Sequence, residues 1–167
     1  MSLGIVIKGT EGLVLAAESR VTLTLTQPTN GGVQLIPVFY DNATKLLSFS
    51  APHNFVGAVT FGQAVLGSTK RTAQSFVPEF ESSLEKLRIT VPDFAAKLSE
   101  FYLTQWKQAE PPNYQGDPMI FVVGGFDDNK PYGRVFYFEI PGKPQPIERN
   151  APQEEFGITW GGQREIV

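Results

Sequence analysis

Few side chains in this 167-residue chain can do covalent chemistry. It has no cysteine and a single histidine, His53. A thiol nucleophile, a thiolate zinc site and a disulfide framework are excluded, and so is a multi-histidine metal site. A Ser/His/Asp triad would have to use His53. Hydroxyl and amine chemistry remains. Ser2 stands directly behind Met1. Its small side chain is compatible with aminopeptidase removal of Met1, which would leave a hydroxyl and a free α-amine on one residue. Taken alone, such a start is common, and Lys45 alone is a lysine at a strand end.

The elements that must position these groups follow from periodicity and turn chemistry. Leu3 to Lys8 and Leu13 to Ala17 are short apolar runs around Gly9-Thr10-Glu11-Gly12, which reads as a β-hairpin buried on both faces. Residues 21–44 read as loop, with Val33 to Tyr40 a possible short strand. Lys45 to Ser50 and Phe55 to Phe61 are strands around a turn at Ala51-Pro52-His53-Asn54, which puts His53 at the surface. Helical spacing predicts a helix within Gln63 to Leu87, divided or kinked at Pro78. A second helix starts after Val91-Pro92 and stops before Pro111-Pro112. Met119 to Val123 and Gly133 to Ile140 return to strand. The segment 143–155 is polar and proline-rich, and Phe156 to Gly162 is a strand-to-turn signal.

Length predicts one domain over 1–167, and the apolar share of 41% is that of a globular chain. The net charge of -3 gives no pull toward nucleic acid or anionic membrane. No basic-then-apolar leader and no apolar run of transmembrane length is visible, so the reading is cytoplasmic.

Ser2 to Arg20, and above all Ala16-Ala17-Glu18-Ser19-Arg20, resembles the opening of bacterial proteasome β-type subunits, which are N-terminal-nucleophile hydrolases. Lys45, the Gly57-to-Gly62 strand, Gly124-Gly125-Phe126-Asp127 and Tyr137 to Gly142 are similar to later motifs of the same family. The resemblance implies an α+β fold, a four-layer α-β-β-α sandwich whose second helical pair is missing or incomplete. The chain would then be the N-terminal portion of a longer subunit or a shortened member. An inserted segment, Gln27 to Tyr40, would lie near the site and could lid or narrow it.

The resemblance also assigns roles. Ser2 would be the nucleophile and its own α-amine the base, since that amine ordinarily titrates at about 7.7–8. Lys45 would stabilise the developing alkoxide, and Glu18, where the family has aspartate, would pair with Lys45. A structural pairing of Glu18 with Arg20 is the other reading. The Gly62 N–H would serve the oxyanion, while Thr22 and Thr60 would line the substrate groove and its first pocket. No cofactor or metal is called for. The implied function is peptide hydrolysis on unfolded polypeptides by a ring or helical homo-oligomer, which an ATPase unfoldase could feed. A non-catalytic assembly subunit and a small-amide hydrolase are the alternatives.

Overall fold

The computed structural model describes residues 2–150 and 153–162. Met1, where trimming is expected, lies outside them. The opening hairpin forms: β1 (Leu3–Gly9) pairs antiparallel with β2 (Gly12–Ala17), Gly4 opposite Ala17 and Gly9 opposite Gly12. Residues 21–44, read as loop apart from a short strand at Val33 to Tyr40, form a long ribbon of β3 (Val21–Thr29) and β4 (Gly32–Tyr40) around Asn30-Gly31; the strand reading holds in β4 and the loop reading fails over β3. Then follow β5 (Leu46–Ser48), β6 (Val56–Gly62), and the two-residue β7 (Val65–Leu66) and β8 (Arg71–Thr72). The helical reading from Gln63 fails over these pairs, and the helix α1 is confined to Val77–Ser83 after a 3-10 turn.

The helix α2 (Val91–Ala109) is the long one. Thr90 caps it by accepting from the Asp93 N–H, and Pro92 sits in its first turn, where a missing N–H costs nothing. Its buried stripe runs Val91, Phe94, Ala95, Leu98, Tyr102 and Trp106. The chain closes with β9 (Met119–Gly125), β10 (Arg134–Ile140), β11 (Lys143–Arg149) and β12 (Gly157–Gly162). β11 lies in the segment read only as polar and proline-rich. Its Pro144 and Pro146 are tolerated because it is an edge strand.

Two main sheets result, ordered β12-β1-β2 and β11-β10-β9-β6-β5. The three-stranded sheet packs on one face of the five-stranded sheet through Val6, Leu13, Leu15, Val59, Phe61 and Val122. Both α-helices cover the opposite face, where Phe80, Phe94, Leu98, Tyr102, Phe121 and Phe138 form the larger core. Among the described residues this is a mostly-strand, three-layer arrangement. It corrects the expected four-layer α-β-β-α sandwich: no helix covers the outer face of β12-β1-β2, which leaves Ile7, Val14, Ile158 and Trp160 exposed. The hairpin is therefore buried on one face, not two. His53 is also corrected. It is buried, with its ring 5.7 Å from that of Phe94 and 6.3 Å from that of Phe55.

Candidate active site

Ser2 leads into β1, the central strand of its sheet, and is gripped from both sides. Leu3 pairs with Gly162 of β12, while the Glu18 N–H donates to the Leu3 carbonyl at 3.1 Å. Gly162 has φ +118°, and a Cβ there would lie 1.8 Å from the Ser2 carbonyl oxygen, so only glycine permits this approach. The hairpin register thus delivers Glu18 to the same end of the sheet as Ser2.

Lys45 arrives from the other sheet. It immediately precedes β5, and its carbonyl accepts from the Thr60 N–H at 2.9 Å. Its side chain is 5% exposed. The ammonium donates to Ser2 Oγ at 3.1 Å, to Glu18 Oε1 and to the Arg20 carbonyl. All three ammonium protons therefore have acceptors. Burying a charge is tolerable only with such pairing. Glu18 Oε2 accepts from the Arg20 backbone N–H, so one carboxylate ties the lysine to the turn after β2. The Arg20 side chain goes elsewhere. Its guanidinium holds Asp41 through Nε and through Nη2, the latter at 3.0 Å, and lies 5.5 Å from the centre of the Phe39 ring. That hydrogen-bonded pair holds the Asp41 carboxyl below its ordinary range. Glu18 thus meets Arg20 through backbone and Lys45 through charge.

Two clefts meet at Ser2. One, of about 450 Å³, is walled by Thr22 to Leu25 of β3 and by Gln63 to Val65. The other, of about 650 Å³, runs between β12 and the Tyr137 and Arg149 side. Ser2, Gly62 and Asp117 line both. Gly62 has φ +80°, and a Cβ there would lie 2.3 Å from the Pro118 carbonyl oxygen. It lies beyond the paired stretch of β5, whose Leu46 stands opposite Val59.

The predicted residues divide accordingly. Ser2, Glu18 and Lys45 are in direct contact, Gly62 is beside them, and Thr22 lines the β3 cleft. Thr60 lines neither cleft. It is buried against a separate small cavity that it shares with Lys45. Sequence reasoning missed Asp41 as the Arg20 partner, Asp117 at the junction of the clefts, and Gly162 as the seat of Ser2. Only Gly162 carried a visible signal, the Trp160-Gly161-Gly162 turn. Among the described residues no cluster of acidic and histidine side chains could hold a metal ion. No helix among them is long and apolar enough to cross a membrane. No family model matches the chain, and no curated protein matches its sequence.

Proposed function

We propose that this chain is a proteasome-like peptidase subunit that hydrolyses peptide bonds by acyl transfer to Ser2 Oγ once Met1 is removed. The observation that carries the reading is the buried Lys45 ammonium, 3.1 Å from Ser2 Oγ and held by Glu18. A buried cation beside a hydroxyl favours its alkoxide and disfavours protonation of a neighbouring amine.

In the proposed cycle, Ser2 Oγ attacks the carbonyl carbon and its proton passes to the α-amine. The oxyanion is met by the Gly62 N–H. The α-ammonium then protonates the departing amine, leaving an ester on Ser2. Water attacks the ester, its proton goes to the α-amine, and Ser2 is regenerated as its alcohol.

A polypeptide substrate is favoured by the β3 wall. Four consecutive residues, Thr22 to Leu25, line that cleft, as a strand edge rather than a strand face would. Among the described residues β3 pairs only with β4, so its other edge can take an extended peptide by backbone hydrogen bonding. Self-association fits the exposed apolar face of β12-β1-β2, which a lone monomer would present to water.

Intact-mass analysis of the purified protein is the first test. Met1 retained, or Ser2 acetylated, leaves no free amine and overturns the mechanism in favour of a non-catalytic subunit. With Ser2 exposed, peptide and small-amide substrates are compared in the native chain and in Ser2→Ala. Turnover surviving in Ser2→Ala rejects the reading, and turnover restricted to small amides rejects the substrate class.

A further inference from the structure

From Val21 to Tyr40 the chain carries no charged residue. This stretch is the β3–β4 ribbon, which pairs with no other strand among the described residues. A two-stranded ribbon by itself is at best marginally stable in water. The register puts Val33, Leu35, Pro37 and Phe39 of β4 on one face, beside threonines of β3. Val33, Leu35 and Phe39 are 64%, 65% and 55% exposed.

A partner meets this ribbon through its face. Thr29 and Gly32 flank the two-residue turn as a hydrogen-bonded pair, so alternation makes Thr24–Pro37 a non-hydrogen-bonded one. Pro37 therefore stands midway along the outer edge of β4 and offers no N–H there. That edge is blocked to strand pairing, while β3 walls the Ser2 cleft.

The same chain carries a surface of matching character. Ile5 stands opposite Trp160, and Ile7 stands opposite both Val14 and Ile158, so these side chains share the outer face of β12-β1-β2. Ile7, Val14, Ile158 and Trp160 are 43% to 64% exposed, and the register puts no charged side chain on that face. Within one copy the ribbon and the sheet leave each other uncovered. At about 150 Å² for a fully exposed large side chain, these exposures amount to about 600 Å² in one ribbon-on-sheet contact, counted on both partners. Two such contacts about a two-fold axis bury about 1,200 Å², the size of a specific interface, which one contact alone does not reach.

We infer that the ribbon face bearing Val33, Leu35 and Phe39 docks on the outer face of β12-β1-β2 in a second copy of this chain, each copy embracing the other. The inference deepens the proposed self-association and holds whether or not Ser2 is a nucleophile. Because β3 belongs to the docked ribbon, each copy steadies the wall of the other's Ser2 cleft.

The chain has no cysteine, so engineered thiols report contacts directly. Leu35→Cys and Ile158→Cys proteins are mixed, allowed to exchange subunits and joined with a short bismaleimide. Intact mass is expected to show the mixed product at least about fivefold above either homo-product, since a two-fold contact sets ribbon against sheet. Leu35→Glu, at an exposed site, is expected to keep the native urea midpoint and to run as a monomer in size-exclusion chromatography with light scattering. A dominant homo-product, or no product from a dimeric protein, overturns the docking while leaving self-association in place. A native chain that stays monomeric, or that leaves solution with phosphatidylcholine vesicles, overturns both.

Discussion

Lys45→Met removes the ammonium while keeping most of the side-chain volume. At 3.1 Å from Ser2 Oγ, a full alkoxide would gain about 5 kcal/mol from the cation at an effective dielectric of about 20. The transition state carries part of that charge, and part of the gain offsets desolvation. A loss of about 2–4 kcal/mol of transition-state stabilisation is therefore expected, or about 30- to 1,000-fold in kcat/KM. Stability should suffer less. Glu18 keeps its Arg20 N–H donor and is 29% exposed at its side chain, so water can reach the stranded carboxylate. The fold is expected to lose about 1–3 kcal/mol, below the cost of stranding a fully buried charge.

The assay pairs urea denaturation with steady-state peptide hydrolysis across pH. A merely structural lysine would lower activity only as far as it lowers the folded fraction. A lysine acting on the nucleophile should also move the acid limb of the pH–rate profile upward, because the α-amine loses its cationic neighbour. Glu18→Gln keeps an acceptor for the Arg20 N–H and should fall between the native chain and Lys45→Met. A folded Lys45→Met protein with kcat/KM within about threefold of native and an unmoved acid limb would refute the reasoning.

Three further outcomes are expected. Gly162→Ala, whose Cβ would lie 1.8 Å from the Ser2 carbonyl, should push Ser2 off Lys45 and cost about 100-fold in turnover; unchanged kinetics would contradict the seating of Ser2. Burial pushes the Tyr102 phenol up, so the unfolded chain ionises first, and stability present below about pH 10 falls above it by up to about 1.36 kcal/mol per pH unit. Tyr102→Phe should cost about 1–2 kcal/mol at neutral pH by stranding the Ala73 carbonyl and should flatten that alkaline fall in urea titrations. Trp160→Lys, on the exposed face of β12, should shift the protein to a smaller species in size-exclusion chromatography; an unchanged profile would exclude that face from self-association.

The legible part of the site is local. Glu18 comes to the Ser2 end of the sheet because one short hairpin fixes their register, and a two-residue turn between Gly9 and Gly12 leaves that register no freedom. The β3–β4 ribbon also had its signals. Val21 to Thr26 alternates apolar and polar residues, and Asn30-Gly31 is a two-residue hairpin turn. Pro28 obscured those of β3, because proline argues against a strand with neighbours on both sides. In a two-stranded ribbon each strand has a free edge, and that objection lapses. The burial of His53 was not readable, since the Phe94 ring that packs on it lies far along the chain. The layer count was misjudged for a similar reason. Local motifs report the strands that carry Ser2, Glu18 and Lys45, whereas a covering layer depends on elements those motifs do not encode.

That difference bears on the chemistry. Ser2 directly precedes the central strand of one sheet, and Lys45 directly precedes the edge strand of the other. Their 3.1 Å contact is a contact between sheets. What holds it is the interface packed by Val6, Val59, Phe61 and Val122, together with glycines that let the sheets approach; a Cβ on Gly4 would lie 2.7 Å from the Phe61 ring, and one on Gly161 would lie 2.4 Å from it. The helices pack on the far face of the five-stranded sheet. The Ser2–Lys45 geometry therefore depends on sheet-to-sheet distance rather than on any helix over β12-β1-β2. A change that widens this interface should separate Lys45 from Ser2 before it unfolds the chain.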